Sequence, residues 1–217
     1  MFWSWFLVTT TKLVDCDKAL IWLLILVNFL MYNIRLYNKY IFLDKYTSDL
    51  NYIFSGLKKA NIIYYPQSNI LTDELNKINL FCKKRKIKLF IINNFRLAVK
   101  IKADGLYLTS NNKTPINLKF FKSSFKLIGS SHNQREYFFK LKQNCLKIFL
   151  SPIFYNKKYS RNKILNICKF NLISSNWHGA IIPLGGINEK NFGKLKMLKF
   201  KELGFYSYLE MLKNPQS

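Results

Sequence analysis

Between residues 38 and 210, short β-branched or aromatic runs recur with helix-forming stretches between them. That alternation constrains the fold more than any other feature of the chain. The runs are Tyr40–Leu43, Asn61–Tyr65, Lys88–Ile92, Gly105–Leu108, Lys126–Gly129, Lys147–Leu150, Ala180–Leu184 and a weaker one at Gly204–Tyr206. IIYY, LFII, KIFL and AIIPL are continuously apolar, as strands buried on both faces must be. Ser48, after the first run, and Thr72, after the second, are placed to cap helices, and Asp73 and Glu74 put negative charge in a first helical turn. Leu75, Ile78, Phe81 and Cys82 then fall on one helical face. Further helices are expected over Phe95–Lys102, Gln134–Asn144, Arg161–Ser174 and Glu189–Leu198. Strand–helix alternation implies parallel strands joined by right-handed crossovers. Eight such units predict an α/β chain of (β/α)8 TIM-barrel type. A doubly wound sheet is the alternative. No GxGxxG follows the first strand, so a dinucleotide site has no support.

Two domains are expected: a hydrophobic N-terminal extension, residues 1–37, and the barrel, residues 38–217. Ala19–Ile34 carries no charge, yet it is shorter than the roughly 20 residues that span a bilayer. It lacks the basic lead and small-residue cleavage site of a signal peptide. Three readings stand for it: a short membrane anchor with Arg35, Lys39 and Lys45 on the cytoplasmic side, a helix packed on the barrel, or a segment upstream of the true start. The expected location is cytoplasmic, with membrane association through residues 19–34 if the first reading holds. Oligomeric state is not specified by the sequence.

The 217 residues carry 35 Lys+Arg against 11 Asp+Glu, a formal net charge of +24. Such an excess points first to nucleic acid. The cations are nearly all Lys, however, with Arg only at positions 35, 85, 96, 135 and 161. Bidentate base and phosphate recognition favours Arg. Asn, Ile, Phe and Tyr are abundant too, so A/T-rich codon usage explains the composition, and no nucleic-acid partner is expected. The surface field still favours anionic, phosphorylated ligands. Cys16, Cys82, Cys145 and Cys168 form no CxxC pair, which argues against a zinc site or a disulfide framework.

A barrel of this kind carries its chemistry at the C-terminal strand ends. Five consecutive ends here turn small, polar or glycine-rich: Asn93-Asn94, Thr109 to Asn112, Gly129 to Asn133, Ser151-Pro152, and Gly185-Gly186. Gly185 and Gly186, before an expected helix, are candidates for phosphate binding, since glycine admits close backbone approach and helix N-terminal amides hold anions. An ordinary tight turn needs glycine as well. His132, beside Ser130 and Ser131, is the candidate acid/base; a lone histidine is more often structural. His178 precedes the seventh strand, at the opposite end. Neutral Asn93, Asn94, Asn111 and Asn112 suit a polar ligand or simple turns, but not a strong Mg²⁺ site, which wants carboxylates. Asp44 ends the first strand, and Asp104 precedes the fourth at the wrong end.

At these residues the chain resembles the thiamine phosphate synthase/TenI family. Residues 91–108, IINNFRLAVKIKADGLYL, resemble that family's I-N-D-x-x-x-L-A and A-D-G-V-H-L elements. Ile128 to His132 is similar to its I-G-x-S-x-H, Pro152-Ile153-Phe154 to its G-P-x-F, and Ile182 to Ile187 to its A-I-G-G-I. The resemblance covers about residues 38–210. It implies a (β/α)8 barrel and a role in thiamine synthesis. Synthases of the family join a pyrimidine diphosphate to a thiazole phosphate and release pyrophosphate with Mg²⁺; TenI-type members tautomerise the thiazole instead. By resemblance, His132 and Ser131 are catalytic. Asn93, Asn94, Ser130 and Lys157 bind substrate, and Gly185 and Gly186 hold phosphate. The sequence departs from the family where Asn94 stands for a metal-binding Asp, and where Asn111 or Asn112 stands for a second acidic residue. Nothing in Tyr64 to Ser68 matches the Gln-x-Arg-x-Lys that holds the diphosphate, and Lys157 or Lys158 matches its loop lysine only loosely. The expected activity is therefore of synthase type on a thiazole phosphate, with Mg²⁺ weakly supported. The alternatives are a metal-free tautomerase or a barrel without catalysis.

Overall fold

The computed structural model describes residues 37–55, 57, 59–66, 72–117, 124–156, 160–176 and 180–206. The expected anchor at 19–34 lies outside these residues, as do Lys157, Lys158 and His178. Eight strands occur among the described residues: β1 Asn38–Leu43, β2 Ala60–Tyr64, β3 Lys88–Ile92, β4 Gly105–Leu108, β5 Lys126–Ser131, β6 Lys147–Leu150, β7 Ala180–Pro183 and β8 Glu202–Phe205. The helices are α1 Leu50–Ser55, α2 Thr72–Arg85, α3 Phe95–Lys100, α4 Gln134–Lys142, α5 Asn166–Asn176 and α6 Glu189–Phe192. Every expected strand is present to within two or three residues at its ends. Among the described residues, no helix lies between β4 and β5. The expected helix over Arg161–Ser174 is instead a 3₁₀ turn at Arg161–Lys163 followed by α5, and Glu189–Leu198 divides into α6 and a 3₁₀ segment, Gly193–Met197.

The strands form one parallel sheet in the order β7-β6-β5-β4-β3-β2-β1-β8. The two end strands meet: a side chain at Gly204 on β8 would come within 2.8 Å of Leu184 Cδ1 after β7. The sheet is thus a nearly closed (β/α)8 barrel. Strand periodicity sends alternate residues inward. Tyr40, Phe42, Ile63, Phe90, Tyr107, Ile128, Phe149 and Ile182 fill the interior. Their rings meet edge to face, with Phe42 5.2 Å from Tyr107 and Tyr40 5.3 Å from Phe149. The intervening residues, such as Ile41, Leu43, Ile62 and Ile91, are buried under the helices. Burying each large side chain contributes about 2–3 kcal/mol. α2 covers the sheet with Leu75, Ile78, Phe81 and Cys82, the face expected from their spacing.

The N-terminal end of the barrel is closed by a polar cluster. Lys147 Nζ contacts Glu202 Oε1 at 2.6 Å and the Tyr40 hydroxyl at 3.1 Å. Asn38 donates to Glu202 Oε1 at 2.7 Å, and Asn61 donates to Asn38 Oδ1 at 3.1 Å. Glu202 Oε2 is buried without a partner. Burial alone would lower the Lys147 pKa, but the contacts with Glu202 and Tyr40 outweigh it and leave it raised. Aromatic side chains continue to the other end, where Tyr206, just past β8, stacks on Phe42 at 4.0 Å and Tyr65 lies 5.9 Å from Tyr206. Among the described residues, no helix is long and apolar enough to cross a membrane.

Candidate functional site

The C-terminal ends of β3 to β7 carry the polar residues singled out from the sequence, and hydrogen bonds fix most of them. Asn93 follows β3 with φ of 46°, a conformation that Asn tolerates better than most residues. Its Oδ1 accepts from Thr109 N at 3.1 Å and from Asn112 Nδ2 at 3.0 Å. Its Nδ2 donates to Thr109 Oγ1 at 2.9 Å. Because a backbone N–H can only donate, the amide orientation is settled. The oxygen is saturated, and among the described residues the second N–H of exposed Asn93 meets no acceptor.

Asn94 has a local task. Its Oδ1 caps α3 by accepting from Leu97 N at 3.0 Å. Asn112 is similarly committed: its Oδ1 accepts from Thr114 N at 3.0 Å. These amides are a poor donor set for Mg²⁺, because their oxygens already serve N–H groups and none is a carboxylate. No group of three or more His, Cys, Asp or Glu side chains suited to a metal occurs among the described residues. The Mg²⁺ implied by resemblance does not fit these amides. Asp104 accepts from Leu89 N at 2.9 Å at the opposite end, as expected from its place before β4.

His132 sits between β5 and α4. The helix start fixes it: Asn133 Oδ1 accepts from Glu136 N at 3.0 Å, and the Glu136 carboxylate accepts from His132 N at 2.7 Å. This is capping-box chemistry shifted by one residue, and Asn133-x-x-Glu136 is legible in the sequence. The His132 ring Nδ1 lies 2.7 Å from the Ser151 carbonyl oxygen and 3.2 Å from Ser151 Oγ. A carbonyl only accepts, so Nδ1 carries the proton and Nε2 is the basic nitrogen of the neutral ring.

Ser130 and Ser131 are separated by the pleat. Ile128 belongs to the barrel interior, so Ser130 shares its face and Ser131 points toward the helices. Ser131 is fully buried, and its hydroxyl has no hydrogen-bond partner among the described residues. The strand parity thus favours Ser130, not Ser131, for a role at the mouth. Gly185 and Gly186 adopt φ of 89° and 74°. Their carbonyls are engaged, Gly185 O by Phe154 N at 3.1 Å and Gly186 O by Asn191 Nδ2 at 2.6 Å. A Cβ at Gly186 would fall on the Phe154 carbonyl, so close packing requires glycine there whatever else it does. The helix that follows has only four residues. An anion here would therefore meet loop N–H groups rather than a long helix dipole.

Thr109 and Ser151, named from the sequence only as polar strand ends, hold Asn93 and His132 in place; Glu136, Lys140 and Gln143 do the same and were not singled out by any motif. Lys140, on α4, has no exposed surface. Its Nζ reaches the Asn112 carbonyl at 2.6 Å and Gln143 Oε1 at 2.9 Å. Burial lowers its pKa. A separate cleft of about 440 Å³ is lined by Tyr155, Arg161, Asn162, Ile164, Asn166 and Lys169. Asn93, His132, Gly185 and Gly186 are not part of its lining.

A family described as thiamine monophosphate synthase matches residues 63–203. A thiamine-phosphate synthase of Prochlorococcus marinus subsp. pastoris is 27% identical over 145 residues, which are 66% of this chain and 41% of that protein. A second, from Prochlorococcus marinus strain SARG, is 26% identical over 68% of this chain and 43% of its own length. The chain thus spans about two fifths of the length of these relatives. A solved structure of thiamine phosphate pyrophosphorylase from Pyrococcus furiosus superposes with a TM-score of 0.61 at 14% identity, over 81% of this chain and 88% of that one, and shares the fold. With the family model covering well over half of its length, the chain belongs to the thiamine monophosphate synthase family.

Proposed function

We propose that the chain binds a phosphorylated thiazole at the C-terminal mouth of its barrel, and that joining it to a pyrimidine diphosphate is weak or absent. The observation that carries this reading is the state of Asn93. Both of its oxygen's acceptor positions are occupied by N–H donors, while one of its own N–H bonds is left over. Such a group offers a hydrogen bond to a ligand oxygen and nothing to a cation. The loop N–H groups of Gly185 and Gly186 suit the phosphate in the same way. His132, with Nε2 basic, supplies the proton-transfer group. Ser130 faces the interior beside it. The cations and carboxylates that, by resemblance, would hold a diphosphate and its metal have no counterpart in Tyr64 to Ser68, at Asn94, or at Asn111 or Asn112. Lys157 keeps its place in the proposal only through the resemblance of its loop.

A second reading is a metal-free thiazole tautomerase. The Ser151 tether favours it, since one defined His132 tautomer can pass a proton between two positions of a bound ring. The experiment is calorimetric titration of thiazole phosphate, alone and with pyrimidine diphosphate and Mg²⁺. Binding of thiazole phosphate that is insensitive to Mg²⁺, with little product, is expected. Rapid Mg²⁺-dependent formation of thiamine phosphate would overturn the proposal. Proton exchange on the thiazole that His132→Ala abolishes would select the tautomerase, and no turnover with either substrate set would select a binding barrel.

A further inference from the structure

We propose that Lys140 is the positioning residue for Asn93, acting through the loop that follows β4; this rests on the reading of Asn93 as ligand-facing. The path is continuous. Lys140 Nζ holds the Asn112 carbonyl at 2.6 Å. Gln143 Nε2 holds the same carbonyl at 3.1 Å and the Thr114 carbonyl at 2.8 Å. Gln143 Oε1 in turn accepts from Lys140 at 2.9 Å. Asn112 Nδ2 donates to Asn93 Oδ1 at 3.0 Å, and Thr109, at the other end of the loop, bonds both Asn93 amide atoms. The side chains of Lys140 on α4 and of Gln143 just after it thus clamp residues 112–114, and the clamped loop grips Asn93.

Lys140 reaches the loop by passing β5 at a glycine. A Cβ at Gly129 would lie 2.8 Å from Lys140 Cδ and 3.1 Å from Cγ. The sequence places a glycine where the aliphatic stem must cross the strand. A buried ammonium is costly unless its hydrogen bonds are made. A methionine would fill the same space without that cost, so packing does not explain the charge. What the ammonium adds is a charge-assisted bond to a loop carbonyl, in a connection where no helix is described among residues 109–117 and 124–125 to fix the chain.

The test replaces Lys140 by Met in the full chain and measures amide hydrogen exchange without ligand. Protection of residues 109–114 is expected to fall about tenfold, while that of β1 and β2 stays as in the wild type. The side-chain amide NMR signals of Asn93 and Asn112 are expected to shift toward solvent-exposed values. Ile78→Val, a core truncation under α2, serves as the destabilised control and is expected to leave both readouts alone. Gln143→Met, which keeps Lys140, is expected to give a smaller change at the same residues and covers the case where Lys140→Met does not fold. Thiazole phosphate affinity is measured last and is expected to weaken about tenfold in Lys140→Met. Unchanged exchange and amide signals at 109–114 in a folded Lys140 or Gln143 variant would overturn the clamp. Loosened exchange with thiazole phosphate binding intact would overturn the step from loop to ligand. Loosened exchange in a protein whose wild type binds no thiazole phosphate would sustain the clamp and instead refute the proposed function.

Discussion

Replacing Lys147 by Met tests the polar plug at the base of the barrel. The substitution keeps most of the aliphatic stem and deletes the ammonium. It removes the 2.6 Å contact to Glu202 and the 3.1 Å contact to the Tyr40 hydroxyl. The side chains of Lys147 and Glu202 are 26% and 15% exposed, so water offers the stranded carboxylate little. Glu202 keeps the Asn38 donor, but its Oε2 already lacks a partner. Losing one charge-assisted bond and leaving a charge largely desolvated costs about 3 kcal/mol. For a domain of this size that lowers Tm by about 6–12 °C. Replacing both partners, as Lys147→Met with Glu202→Leu, removes the stranded charge and is expected to return stability to within about 1 kcal/mol of the wild type. Urea unfolding followed by far-UV circular dichroism reads both variants, with an unchanged m-value confirming that native stability has moved. A Lys147→Met midpoint equal to the wild type would refute the reasoning. So would a double variant no better than the single, since the penalty would then not come from an unpaired charge.

Gly186→Ala is expected to cost about 2–4 kcal/mol, from the left-handed backbone and the approach to the Phe154 carbonyl together, and to abolish thiazole phosphate binding; denaturant unfolding and titration measure the two effects. Burial and nearby Lys59 lower the Lys39 pKa to about 8. The folded chain therefore holds fewer protons on Lys39 than the unfolded chain between pH 8 and its usual value, so this residue's contribution to stability rises with pH across that window. The difference in unfolding midpoint between Lys39→Met and the wild type is thus expected to shrink from pH 7.5 toward about pH 10, with the variant the more stable at the lower pH. Burial pushes the thiols of Cys82 and Cys145 up to about 12, whereas Cys168 is exposed. Alkylation of the native chain at about pH 8, mapped by mass spectrometry, is expected to label Cys168 and to spare Cys82 and Cys145. Ser151→Ala leaves the carbonyl that holds His132 and removes only Oγ, so thiazole phosphate affinity is expected to fall less than about threefold, against a larger loss for His132→Ala.

The barrel was legible because its signal is local. Runs such as KLFII and KIFL must be buried on both faces wherever they occur, and strand–helix alternation leaves few ways to join them. The helix starts expected at Phe95, Gln134 and Glu189 are observed, each preceded by an asparagine whose side chain accepts from the backbone N–H three residues on. The helices after β6 and β7 were overestimated. Arg161–Ser174 and Glu189–Leu198 carry helical spacing, but the structure divides each with a 3₁₀ turn. Propensity cannot weigh such tertiary demands.

Within the candidate site the division is the same. Sequence order alone brought Asn93, His132, Ser130 and Gly185-Gly186 to one end of the barrel, because parallel strands all end on the same side. The resemblance also set Asn94, and Asn111 or Asn112, where the family carries acidic residues. Which histidine nitrogen keeps its proton and which amide is left to meet a ligand were decided by contacts between residues 16 to 28 apart, such as Asn93 with Thr109, His132 with Ser151, and Lys140 with Asn112. Hydrogen-bond saturation depends on neighbours in space, and no residue carries that information in its own identity. The sequence could specify the types of groups at the mouth of the barrel; only the nearly closed sheet, by setting each against its own hydrogen-bond partners, could determine which of their atoms remain available for chemistry.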